Sequence, residues 1–191
     1  MIRRETLMPL ETYARERNAF RERVIAHKKD RTVHLGENLT LLFEDELTIR
    51  YQVQEMLRIE RIFEEEGIQH ELDAYNPLVP DGGNWKATML IEYPDADERR
   101  RMLARLKGIE RQVWVEVDGG PRVLAIADED LERENEDKTS SVHFLRFELD
   151  AASRERLKKG AALTIGVDHP AYRFSQKVPA RTAAALARDL A

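Results

Sequence analysis

Several stretches of this chain alternate apolar and polar residues over strand-length distances and are then cut off by turn residues. Ala87, Met89, Ile91 and Tyr93 form one such set; Val113, Val115 and Val117 form a second. His143, Leu145, Phe147 and Leu149 form a third, and Leu163, Ile165 and Val167 a fourth. A period of two places each set on one face of an extended segment, so each strand has one side to bury. Asp118-Gly119-Gly120-Pro121 is a turn, and Val123 to Ala127 is expected to return beside Val113–Val117 as a hairpin. Thr32–Leu35 and Leu39–Phe43, split by Gly36-Glu37-Asn38, read as two more short strands. Short hairpins favour antiparallel pairing.

Helical spacing fills much of the remainder. Leu10 to His27 carries Tyr13, Phe20 and Val24 on one face, and Val53 to Glu66 carries Val53, Met56, Ile59 and Phe63, with Gly67 as the stop. Leu47 to Gln52 alternates over β-prone residues and reads either as a strand or as the start of that helix. Asp95 can cap a helix running to about Lys107, Asp150 a short one ending before Gly160, and the Ala/Arg-rich stretch 180–191 is a terminal helix. The class expected is α+β: one domain over 1–191, a mostly antiparallel sheet with helices packed on it. A chain of 191 residues is long enough to bury one substantial core.

Charge and composition narrow the chemistry. Acidic and basic residues intermingle and sum to a net charge of −5, which leaves no broad basic footprint for nucleic acid. No run reaches the roughly 20 apolar residues of a membrane span, and the N-terminal stretch is broken by charges too often for a signal peptide, so a cytoplasmic protein without membrane insertion is expected. The absence of cysteine removes iron–sulfur clusters and zinc–thiolate sites. No HExxH, Walker, GxGxxG or GxSxG element occurs, so no nucleotide cofactor is expected. A divalent metal held by His, Asp or Glu stays open.

The candidates are polar residues in apolar positions. At 100° per residue Glu60 falls within the arc of Val53, Ile59 and Phe63, and a carboxylate buried there needs an ion-pair partner or a metal. Glu64 lies one turn on. His143 shares the apolar face of its strand, and His169 extends the face of Leu163, Ile165 and Val167. If those two strands are antiparallel neighbours the imidazoles approach each other; a crossover separates them. His143, His169 and Glu60, with Glu64, would then suit a metal or acid–base chemistry, against the commoner use of a buried histidine as a satisfied core residue. The Pro/Gly-rich loop holding Asn76, Asp81, Asn84 and Trp85 is either a ligand or partner loop or a rigid connector. The acidic run from Asp128 to Glu136 could hold a hard cation or be a solvated face, and Arg99–Arg101 with Arg105 could meet an anion or only water.

Three stretches carry a family likeness: LTLLFEDELTIRYQVQEMLRIERIFEEEGIQHELDAYNPLVPDGGNWKATMLIEYPD from Leu39, IADEDLERENEDKTSSVHFLRFEL from Ile126, and IGVDHPAY from Ile165. Together they resemble a bacterial domain-of-unknown-function family whose members are often encoded near rubrerythrin and a heterodisulfide-reductase-like iron–sulfur protein. The resemblance implies a redox or oxidative-stress setting and supplies no catalytic residue. Without cysteine the chain is expected to be an accessory, partner-binding component, with rubrerythrin or an iron–sulfur oxidoreductase as partner. The alternative is a metal-dependent enzyme with a His/Glu site.

Overall fold

The computed structural model describes residues 1–191, and by packing the chain divides into two compact units. Unit 1 comprises 1–30 and 44–80; unit 2 comprises 31–43 and 81–191. The α+β class is as expected, but the strands form two antiparallel sheets where one was anticipated.

Unit 1 is helical. Helix α1 (Leu10–Lys28) buries Tyr13, Phe20 and Val24 on its apolar face. Helix α2 (Glu46–Ile59) begins earlier than the periodicity of 53–66 suggests, which decides the ambiguous segment 47–52 in favour of helix. The cause is a capping box: the Asp45 carboxylate accepts from the Thr48 N–H at 3.0 Å, and the Asp45 N–H donates to Thr48 Oγ1 at 3.0 Å. The helix stops at Ile59, and Arg61 takes a left-handed φ of 55°. Gly67 is not a stop; it lies in the first turn of α3 (Glu65–Tyr75), where a Cβ would come 2.7 Å from Ile62 Cγ2. Ile49, Val53 and Leu57 of α2 pack with Ile68 and Leu72 of α3 and with Ile2 and Leu7.

Unit 2 holds the strands. One sheet runs β1 (Thr32–His34), β2 (Leu39–Glu44, whose last residue groups with unit 1), β3 (Asn84–Ile91), β7 (Val142–Glu148), β6 (Ile126–Ala127). The other runs β5 (Arg122–Leu124), β4 (Val113–Val117), β8 (Leu163–His169), β9 (Tyr172–Lys177). The expected return strand 123–127 is thus split. Arg122–Leu124 pairs with β4, the Ala125 N–H donates to the Val113 carbonyl at 2.8 Å, and Ile126–Ala127 pairs with β7 in the first sheet. Each alternating set buries its apolar members, and the two inner faces share one core containing Phe43, Trp85, Phe147, Val115 and Ile165. Helices α4 (Ala96–Arg105) and α5 (Ala151–Lys158) start at Asp95 and Asp150, whose carboxylates accept from Glu98 N–H at 2.7 Å and Ser153 N–H at 2.6 Å. The C-terminal helix α6 spans Ala180–Ala187. Buried Arg31 donates to the Phe43 carbonyl at 2.9 Å and forks onto Asp189, joining the start of β1 to the segment after α6.

Candidate functional site

The passage of the chain from one sheet to the other builds a locus dense in charged side chains. After β6 the backbone turns at Asp128 with φ 51°, a left-handed conformation that costs an ordinary side chain energy but that aspartate tolerates. The turn is closed twice on β7: the Asp128 N–H donates to the Phe144 carbonyl at 2.8 Å, and Asp128 Oδ1 accepts from the Phe144 N–H at 3.0 Å. The other carboxylate oxygen lies 2.5 Å from Nδ1 of His143. His143 is fully buried, and its Nε2 lies 2.9 Å from Thr139 Oγ1 and 3.1 Å from the Ser140 carbonyl. Asp128 engages the ring at Nδ1, and the Thr139 hydroxyl and Ser140 carbonyl engage it at Nε2, so both nitrogens of the buried ring are bonded within the fold. The sequence marks His143 as buried; its partner Asp128 is visible there only as one acid in a charged run.

Beside this locus lies a cleft of about 340 Å³, lined by Glu110 and Arg111 and by the segment 127–134. Arg133 reaches across the segment, bonding both Asp130 oxygens at 2.5 and 2.7 Å and covering the Phe144 ring at 4.6 Å. Its guanidinium holds the Asp130 carboxyl below the ordinary range. Arg146 does the same for Glu129 through two bonds of 2.8 Å. Glu134 caps the Gly108 N–H at 2.8 Å. Glu110, in the 3-10 turn Ile109–Arg111, differs from all of these: only 3% of it is exposed, one oxygen lies 3.5 Å from Arg111, and the other, Oε2, is buried with no hydrogen-bond partner. An unsatisfied buried acceptor costs roughly 1–3 kcal/mol, more when charged. Periodicity gave no hint of it, because Glu110 sits in a one-turn segment between elements.

The other candidates are dispersed. His169 closes the β8–β9 hairpin: its Nε2 bonds the Lys107 carbonyl at 3.0 Å and its Nδ1 accepts from the Ala171 N–H at 3.1 Å. The two histidines lie in different sheets and bond different partners, so β7 and β8 are neither the adjacent antiparallel pair nor the crossover pair that the sequence offered. Glu60 is not buried; it follows the last residue of α2 and is exposed, because the helical arc that would bury it ends one residue earlier. The polar residues that α2 does bury are Thr48 of the capping box and Gln54, which accepts from the Met8 N–H at 2.7 Å and donates to the Met8 carbonyl at 3.3 Å. Glu64 is the exposed N-cap of α3. Glu60 and Glu64 belong to unit 1, His143 and His169 to unit 2, and nowhere do three His, Asp or Glu side chains gather so as to hold a metal ion.

The loop residues are tied inward. In unit 1 the Asn76 side chain accepts from the Ile2 N–H at 2.8 Å and donates to its carbonyl at 3.0 Å. In unit 2 Asp81 accepts from the Gly83 N–H at 2.9 Å, a bond that holds its carboxyl below the ordinary range. Asn84 and Trp85 are buried, with Trp85 Nε1 donating to the Leu186 carbonyl at 2.9 Å.

Unit 1 leaves apolar surface in the open. Ile59 is 58% and Phe63 67% exposed, where periodicity had both buried. Phe63 borders an apolar groove of about 240 Å³ with Leu7, Pro9, Leu57 and Ile68, flanked by Arg4 and Glu11.

Fold and site together define an α+β protein of two antiparallel sheets, with an acid-lined cleft where the chain changes sheet. The chain belongs to the DUF3501 family, described as proteins of unknown function, whose family model matches residues 1–190. It is similar to a novel protein of unknown function from Burkholderia pseudomallei K96243, known from a crystal structure. The two chains are 57% identical, the match covers 100% of this chain and 99% of that one, and the TM-score is 0.95. No curated protein matches the chain.

Proposed function

We propose that this chain is an accessory, partner-binding component of a redox or oxidative-stress module, and that unit 1 carries the docking surface at Ile59 and Phe63. The observation that carries this reading is the exposure of two large apolar side chains in one short segment, Phe63 lining a groove with Leu7, Pro9, Leu57 and Ile68, since exposed apolar surface is a mark of interaction sites. The groove, about 240 Å³, is smaller than the roughly 300–1,000 Å³ usual for small-molecule sites and suits one or two apolar side chains of a protein partner. Arg4 and Glu11 supply charges of both signs at its edge, as a polar rim does. The family resemblance supplies the partners: rubrerythrin or the iron–sulfur oxidoreductase encoded nearby. The loop 76–85, earlier the candidate surface, has its key side chains committed within the fold. The rival reading, a metal-dependent enzyme built on His143, His169 and Glu60, has no convergent ligand set in its support.

The test is binding between purified proteins. The wild-type chain is expected to bind one of the two partners, and the double variant Ile59→Asp, Phe63→Asp to bind at least about ten-fold more weakly, a loss of about 1.4 kcal/mol. Because both side chains already meet solvent, the variant should melt as the wild type does. Failure of the wild type to bind either protein, or equal binding by the variant, overturns the proposal.

A further inference from the structure

We infer that the cavity between the end of α5 and α6 is a binding site for a single-chain anionic amphiphile, an alkyl chain that ends in a carboxylate or a phosphate ester. The inference concerns unit 2 alone and is independent of the docking surface in unit 1. The cavity has a volume of about 650 Å³, which exceeds both the groove in unit 1 and the acid-lined cleft and lies within the roughly 300–1,000 Å³ usual for small-molecule sites. Its walls follow from the local path of the chain. Helix α5 stops where Gly160 takes a φ of 90° and its N–H donates to the Leu157 carbonyl at 2.9 Å. The chain crosses Ala161 and Ala162 into β8, and the Val178 N–H donates to the Leu163 carbonyl at 2.7 Å, which sets the start of α6 across from that turn. Helix α6 gives the cavity Ala180, Ala183, Ala184 and Ala187, at the spacing of one helical face, while its Leu186 goes to the core.

Alanines on a helix face ordinarily let two backbones approach closely. Here they do not, because a space of ligand size stands between α6 and the turn after α5, and side chains as short as alanine leave it open. Charge then selects the occupant. Lys158 and Lys177 are the charged residues of the lining, no acid lines it, and neither lysine side chain has an ion pair or hydrogen bond within the fold, whereas neighbouring Lys159 lies 3.9 Å from Glu155. Both lysines are exposed, and each carries its charge on a flexible four-carbon stem, so an anion at the mouth can be met without burying the ammonium. Behind them the wall is apolar, with Leu157, Leu163 and Val178 buried. A sugar or nucleoside is a poor match, because the lining side chains offer no hydrogen-bonding group besides the two ammoniums. An alkyl body with an anionic end satisfies both parts of the site. The same chemistry is presented by a free alkanoate and by an alkyl phosphate ester.

Calorimetric titration of the intact protein, with each probe below its micellar concentration, separates these. Decanoate and decyl phosphate are titrated, with decyltrimethylammonium in parallel. At least one of the two anions is expected to bind saturably at one site per chain, and the tighter identifies the head group. Binding of neither anion, or of the cation as tightly, overturns the inference. Removing four methylenes from the tighter anion is expected to weaken it at least about ten-fold, since each buried methylene adds to affinity. Ala184→Leu, which fills the cavity from an exposed position, is expected to melt as the wild type does and to bind at least about ten-fold more weakly. The double variant Lys158→Gln, Lys177→Gln is expected to lose at least about three-fold in affinity for the anion. Unchanged affinity on shortening the chain or in either variant overturns the inference. Should Ala184→Leu fail to fold, amide shifts induced by the anion in the wild type must cluster at 157–163 and 177–187, and scattered shifts overturn the inference equally.

Discussion

Glu55 shows how much one side chain can join. On α2, it accepts the Tyr13 hydroxyl at 2.6 Å and both arms of Arg17 at 2.7 and 2.8 Å, so a single carboxylate ties α1 to α2. The Arg17 guanidinium is the main cause of its lowered pKa, about 2. Because the folded value lies below the unfolded one, the stabilisation is complete above the ordinary glutamate range and is lost as pH falls from about 4.5 through about 2. Glu55→Gln is therefore expected to cost about 2 kcal/mol at neutral pH, and far less at pH 2, which urea unfolding at the two pH values measures. At this scale the sequence was a partial guide. His143 and His169 are buried because strand alternation reaches them, whatever they touch. Their partners depend on a left-handed turn at Asp128 and on the Lys107 carbonyl, which lie 15 and 62 residues away, beyond any local period. Glu60 failed for a different reason: helical phase is informative only while the helix lasts.

Among the elements, strands with one buried face were legible and strands without one were not. β9 reads Tyr-Arg-Phe-Ser-Gln-Lys and exposes most of its side chains, so it carries no apolar alternation, yet it pairs with β8 from Thr164 to His169. The split of β5 from β6 was invisible because one apolar run serves two sheets, and only the bond from Ala125 to Val113 marks the change. Start signals were more dependable: Asp95 and Asp150 cap helices as their position suggests, and the Asp45–Thr48 box overrode β-prone residues. Within β8, Gly166 faces Trp114 across the ladder, and a Cβ there would come 2.4 Å from the indole Cζ2. The ring lies under the Arg122 guanidinium at 3.8 Å. Gly166→Ala is expected to push the indole out of that stack, costing about 1–3 kcal/mol with a red shift of tryptophan emission; an unshifted spectrum and unchanged melting would refute it.

At the scale of the molecule the two units are interleaved in sequence, since 31–43 belongs with 81–191. The fragment 81–191 would therefore lack β1 and β2, leave the β2-facing edge of β3 unpaired, and lose Leu39, Leu41 and Phe43 from the core. It is expected to aggregate or remain unfolded, and supplying 31–43 as a linked strand pair is expected to restore dispersed amide signals. Alternating strands disclosed the composition of this unit but not its membership, because periodicity is local and the partner of a strand is not. The Arg31–Asp189 pair adds a consequence in time. Its members are 158 residues apart, so at about 5–20 residues per second the guanidinium is synthesised roughly 8–30 s before its carboxylate. For that interval a positive charge destined for the interior has no counter-ion from this pair, which makes its closure a late event in the life of each new chain.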